Sequence, residues 1–273
     1  MGTSGSSVGP VGGVPFDPPW LDDIETPQPV DQGPDDGDSG NGQPGPPEVA
    51  PPRRFANARR ALGEFARTGS ENAFKRAVGH YSRTGMGGAR SAANRMRVSS
   101  RSGANVFNLL QSARERTDPA INEWVDSLAA RTASAQEIAD EIIRHATPTG
   151  GSQDEAACQQ SMAQAMEDLL TDDPAVDLLN LGDDDIWGLI ESFLGYEAFY
   201  RLCLDIGQVF EDSTLSPRDH VIRMNEMRDY LKAELRAQIE ALRADTPNAA
   251  SGQLQSILQS ALQNTFAVYE GSI

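Results

Sequence analysis

The chain is poor in the side chains that most often carry chemistry. It has two lysines (Lys75 and Lys232), two cysteines (Cys158 and Cys203) and three histidines (His80, His145 and His220) among 273 residues. Cysteines so spaced give neither a metal-ligand pattern nor a disulfide framework. Both lie in apolar helical patterns, which suits buried free thiols. The histidines form no H-x-x-x-H or H-E-x-x-H arrangement, so structural or surface roles are expected, with no metal site and no cofactor. No G-x-x-x-x-G-K-[ST] loop occurs, which removes P-loop nucleotide hydrolysis. With no assembled nucleophile either, the chain reads as a non-enzyme with no catalytic residues of its own.

Two longer-range signals are missing as well. No apolar run approaches the roughly 18–20 residues that span a bilayer. The N-terminus has no positive segment followed by an apolar one, so a cytoplasmic protein away from membranes is expected. No stretch alternates apolar and polar residues as a half-buried strand would.

Bases are absent from residues 1–52, which hold nine acids, twelve of the seventeen prolines and ten of the twenty-five glycines. Such a segment has too little apolar surface to fold and reads as a disordered acidic tail. Residues 53–104 then carry twelve bases against two acids, and residues 105–273 eleven bases against twenty-nine acids, within a net charge of −17. Three parts follow: the tail (1–52), a basic helical segment (53–104) and an acidic helical domain (105–273). The basic block within the second part, residues 53–101, either neutralises the acidic domain or presents a surface for an anionic ligand, as in a nucleic-acid-binding adaptor. Arg59, Arg60, Lys75, Arg76 and Arg83 are the candidates for anion contact.

The expected fold is all-α, a multi-helix bundle behind the tail. Phe55, Ala58, Leu62, Phe65 and Ala66 follow a helical period, and Thr68-Gly69 supplies a stop. Phe74, Ala77, Val78 and Tyr81 make a second short set, Gly85–Gly88 breaks the chain, and Ala89–Met96 resumes it. Ser99–Gly103 reads as a loop. Asp118-Pro119 pairs an N-cap with proline at the first helical position. Ser134 with Glu137 and Ser152 with Glu155 are capping boxes, and Thr147–Gly151 between them is the best internal boundary. Asp183–Asp185 suits the positive end of a helix whose apolar residues, Ile186 to Ile206, cover most of its sides. Ser216-Pro217 opens a helix of roughly 27 residues, about 40 Å long. Leu254 to Tyr269 forms the last.

Two motifs in the tail match without context. Gly40–Gly45 fits G-x-G-x-x-G but follows no strand and precedes no helix. Met1-Gly2 with Ser6 fits M-G-x-x-x-[ST], yet the polybasic patch that usually supports a single acyl chain is missing. Phe16 and Trp20, set among prolines, suit a partner's groove.

Met1-Gly2-Thr3-Ser4, Gly9-Pro10 and Pro18-Pro19-Trp20, together with Gly79–Ala89 (GHYSRTGMGGA), resemble the QatB family of bacterial Qat anti-phage defence systems. The resemblance implies a setting with an ATPase, a QueC-like enzyme and a TatD-like nuclease. QueC-type enzymes use ATP to activate a 7-deazaguanine carboxylate and transfer it to an amine. The tail's only amine is its α-amino group, on Gly2 once Met1 is removed. Its intrinsic pKa of roughly 7.7–8.0, against about 10.4 for lysine, leaves a useful neutral fraction near pH 7. The resemblance thus points to Gly2 as a modified residue. Gly2, Thr3 and Ser4 then join Phe16 and Trp20 as candidate contacts with a QueC-like partner.

Overall fold

The computed structural model describes residues 50–148, 150–211, 215–246 and 251–273. The tail reading, with Gly2, Thr3, Ser4, Phe16, Trp20 and the glycine motif at 40–45, lies outside them. Among the described residues there are helices and no strands, so the chain is all-α. In order these are α1 (Ala56–Thr68), α2 (Glu71–His80), a π-helical turn (Tyr81–Met86), α3 (Ala89–Asn94), α4 (Arg97–Glu115), α5 (Pro119–Ala130) and α6 (Ala135–Ala146). They continue with α7 (Gln153–Asp172), α8 (Asp183–Ile206), α9 (Gln208–Glu211), α10 (Pro217–Asp245) and α11 (Leu254–Glu270).

Local chemistry sets most of the boundaries. Ser134 Oγ accepts from Glu137 N at 3.3 Å while Glu137 Oε2 accepts from Ser134 N at 2.7 Å, and the same reciprocal box joins Ser152 and Glu155. Asp118 caps α5 through Ala120 N at 2.8 Å, with Pro119 in the first position that needs no donor. At the end of α1, Gly69 takes φ = 68°, a left-handed stop that glycine adopts without a side-chain clash.

The α8 helix is the centre of the bundle. It packs against α4, α7 and α10, and Ile190, Phe193 and Leu194 on it are fully buried. The α10 helix spans 29 residues, about 43 Å. It is held by one stripe, Met227, Leu231, Leu235 and Ile239. The α11 helix packs on α2, α3, α4 and α10, so residues from 53–104 and from 105–273 share one hydrophobic cluster.

Close helix approach depends on small residues. A Cβ at Gly79 on α2 would run into the backbone oxygen of Tyr269 on α11, and would sit 3.1 Å from Ile273 Cγ2. Backbone cannot move aside as a side-chain tip can. Gly79→Ala is therefore expected to destabilise the fold by about 1–3 kcal/mol despite alanine's better helix propensity. A urea-unfolding midpoint at or above that of the native chain would show that the two helices separate freely.

The segment Ser99–Gly103, expected as a loop, is the first part of α4. Ser99, Ser100 and Ser102 are buried there, and a Cβ at Gly103 would approach Leu258 Cδ1 at 2.8 Å. Small residues were selected by the neighbouring helix rather than by a turn, so tertiary packing overrides their weak helix propensity. The break at Gly85–Gly88 is also more structured than a loop. The π-helical turn runs through Met86, and Gly87 then reverses the chain at φ = 84°.

Candidate functional site

The five residues proposed for anion contact do not converge. On α2, Lys75 pairs with Glu71 at 2.7 Å and Arg76 with Glu64 at 2.8 Å. Arg59 donates through Nη2 to the backbone oxygen of Asp205 at 2.9 Å. Arg60 and Arg83 are exposed and make no ion pair among the described residues. The block is therefore partly consumed by the chain's own acceptors and partly open to solvent.

A second polar assembly joins residues that sequence reasoning left separate. Phe55 stacks on Tyr81 with centroids 5.7 Å apart, and Tyr81 Oη donates to Asp205 Oδ2 at 2.9 Å. Arg54, Arg95 and Arg201 add positive charge around Asp205, whose carboxyl is nevertheless raised by burial. About two turns before Asp205 on α8, Glu197 is fully buried and accepts from Ser161 Oγ at 3.1 Å and Arg201 Nε at 3.3 Å. Arg201 also pairs with Asp154 at 2.7 Å.

Burial raises Glu197 above its ordinary value, and Arg201 only partly opposes this. The folded state thus keeps a proton over a range where the unfolded chain has released it. Stability from this group falls as pH rises from about 4.5, the ordinary value, through the raised one. Glu197→Gln keeps an acceptor without the charge. The native chain is expected to lose stability relative to this variant as pH rises from about 4.5 through the raised value. Parallel pH profiles from urea unfolding would remove Glu197 from the account.

A cleft of about 510 Å³ lies between α7, α8 and α10 and is lined by Asp168, Asp172, Asp184, Glu191, Lys232 and Arg236 among others. Asp168 accepts from Tyr196 Oη at 3.0 Å, Ser192 Oγ at 3.2 Å and Lys232 Nζ at 2.9 Å. Lys232 also lies 4.7 Å from the Tyr196 ring centroid. The carboxylate's lone pairs are taken up by these donors, and the ammonium is held at the cleft wall. The Asp183–Asp185 run behaves as a helix-start cluster: Asp183 binds Arg114 at 2.7 Å and Asp185 accepts from Gly182 N at 3.3 Å.

The other reactive types are scattered. Both cysteines are free, and burial pushes each thiol up to about 12, far from the thiolate that acts as a nucleophile. His145 Nδ1 lies 2.8 Å from Glu141 O, His220 packs beside Phe210, and His80 is lowered by burial and by Arg76. Among the described residues no cluster of three or more His, Cys, Asp or Glu could hold a metal, and no helix is long and apolar enough to cross a membrane.

Residues 87–269 match the family described as Qat anti-phage system associated protein QatB. The chain belongs to the QatB family. The match covers α3 to α10 and nearly all of α11, so the helical body carries the family signature. Of the segments in which the sequence resemblance was read, only Gly87-Gly88-Ala89 falls within it. No curated protein and no solved structure matches the chain. Membership of the QatB family makes the chain a component of an anti-phage defence system, working alongside the other components of that system.

Proposed function

We propose that this QatB-family chain is a non-catalytic acceptor whose N-terminus is bound by a QueC-like enzyme of the same system and modified at Gly2. The partner would activate a 7-deazaguanine carboxylate with ATP. The neutral α-amine attacks the acyl carbon, a C–N bond forms, the nucleotide leaves with the C–O bond, and the nitrogen loses a proton to water. The product is an amide-linked 7-deazaguanine on Gly2. Thr3, Ser4, Phe16 and Trp20 would supply the contacts that hold the end in the partner, and the system's ATPase is a further candidate partner.

The observation that carries this reading is the economy of amines. Only two ε-amines exist, and the folded body commits both: Lys75 to Glu71 at 2.7 Å and Lys232 to Asp168 at 2.9 Å. The α-amine stands apart by its chemistry, since its lower intrinsic pKa gives a larger neutral fraction near pH 7. Family membership adds the defence setting. Intact-mass and N-terminal peptide spectra, taken with and without the active partner, provide the test. The expected result is one added 7-deazaguanine acyl group on the Gly2 peptide and none at Lys75 or Lys232. An unmodified Gly2 peptide in both samples would end the proposal.

A second reading, a nucleic-acid-binding adaptor, is favoured by the exposed guanidiniums of Arg60 and Arg83 in a segment with only two acids. It requires binding to DNA or RNA that weakens steeply with salt. No binding at low salt would remove it.

A further inference from the structure

We propose that Arg54 and Arg59 form an oxyanion-binding site at the start of α1, where the acidic tail joins the helical body. The ligand chemistry is a carboxylate or phosphate group. This goes beyond the reading of Gly2, because the site would exist in a chain whose terminus is never modified.

Arg54 is 8% exposed, and its Nε and Nη1 have no hydrogen-bond acceptor among the described residues. Arg59 Nε is likewise buried without an acceptor, although its Nη2 is satisfied by Asp205 O. The two guanidiniums converge on one ring: Arg54 Cζ lies 4.9 Å and Arg59 Cζ 6.0 Å from the Phe55 centroid. Buried guanidinium donors are normally paired, so unmet ones on two converging side chains point to an absent acceptor. Burial and the neighbouring Arg95 pull Arg54 below its ordinary pKa, and Asp205 offsets them only in part. That carboxylate is already shared with Tyr81 and lies in the field of Arg95 and Arg201.

The backbone adds to the preference. No side chain caps α1, and its first turn has no acidic residue, so the positive helix end is uncompensated. Arg53, at φ = 55°, turns the chain sharply into this end. A planar guanidinium fork suits the two oxygens of a carboxylate or phosphate.

Two sources share that chemistry. One is the tail, which places nine carboxylates and no base on the same chain, with Glu48 six positions before Arg54. Tethering gives such a group an effective concentration on the order of millimolar. The other is a free or partner-borne phosphate.

The test uses the full chain and a full chain in which the nine acids of residues 1–52 are replaced by their amides. The readout is the side-chain Nε–Hε NMR signals of Arg54 and Arg59, assigned from their loss in Arg54→Lys and Arg59→Lys. The probe is inorganic phosphate. If the tail fills the site, neutralising it shifts both signals, and phosphate leaves those of the native chain unmoved. If phosphate is the ligand, both chains show saturable shifts, and Arg54→Gln weakens phosphate affinity at least tenfold. Signals that respond to neither change, or that move no more than those of the exposed Arg60 and Arg83, overturn the site.

Discussion

Replacing Gly2 with tryptophan is expected to abolish modification of the N-terminus and phage protection together, while the melting transition of the chain stays unchanged. The argument is steric. An α-amine on glycine carries no side chain, so it can enter a narrow acyl-transfer site, and an indole at the first residue blocks that approach. The substitution lies 48 positions before Ala50, the first described residue, and so replaces none of the residues that make up the described core. Loss of near-attack geometry by even about 1 Å costs on the order of a hundredfold in rate. The measurement pairs N-terminal peptide spectra with plaque counts in cells that carry the complete system. Full protection from the Gly2→Trp chain would separate defence from the terminus. Protection lost with the modification intact would assign Gly2 a binding role instead.

The second large effect lies within α8. Arg201→Met is expected to destabilise the fold by about 3–5 kcal/mol, on the order of 10 °C in melting temperature. Glu197 is 0% exposed and Arg201 is its only cationic hydrogen-bond partner among the described residues. Ser99 and Ser161 contribute hydroxyls but no charge. Without the guanidinium, the carboxylate is left buried and uncompensated. Asp154, paired to the same guanidinium, is half-exposed, so its loss adds little. The double variant Arg201→Met with Glu197→Gln removes the stranded charge and is expected to recover most of the stability. The single variant should also suffer less at low pH, where Glu197 takes up a proton. Equal destabilisation of the single and double variants would show that packing of the Arg201 stem matters rather than its charge.

What the sequence determined by itself is chiefly local. Ser134 with Glu137, Ser152 with Glu155 and Asp118-Pro119 each satisfy helix-start donors within three residues, so they mark the same boundaries in any tertiary setting. The apolar positions of α8, α10 and α11 are also legible, because a helix repeats every 3.6 residues wherever it lies. Ser99–Gly103 shows where this reading ends: a serine- and glycine-rich stretch signals a loop until α11 and α8 press against it.

The polar assemblies belong wholly to the tertiary structure. Asp168 and Lys232 are 64 positions apart, and Arg59 and Asp205 are 146 apart. Neither helical periodicity nor capping relates residues at such separations. The packing of α7 and α10 side by side on α8, and of α1 against the end of α8, brings them together. The same packing decides which arginines of the basic segment are consumed. Arg59 turns inward to a backbone oxygen, whereas Arg60, one residue on, points away from that contact and stays in water. Successive helical residues differ by about 100° in direction, and only the position of the neighbouring helix fixes which of them is buried.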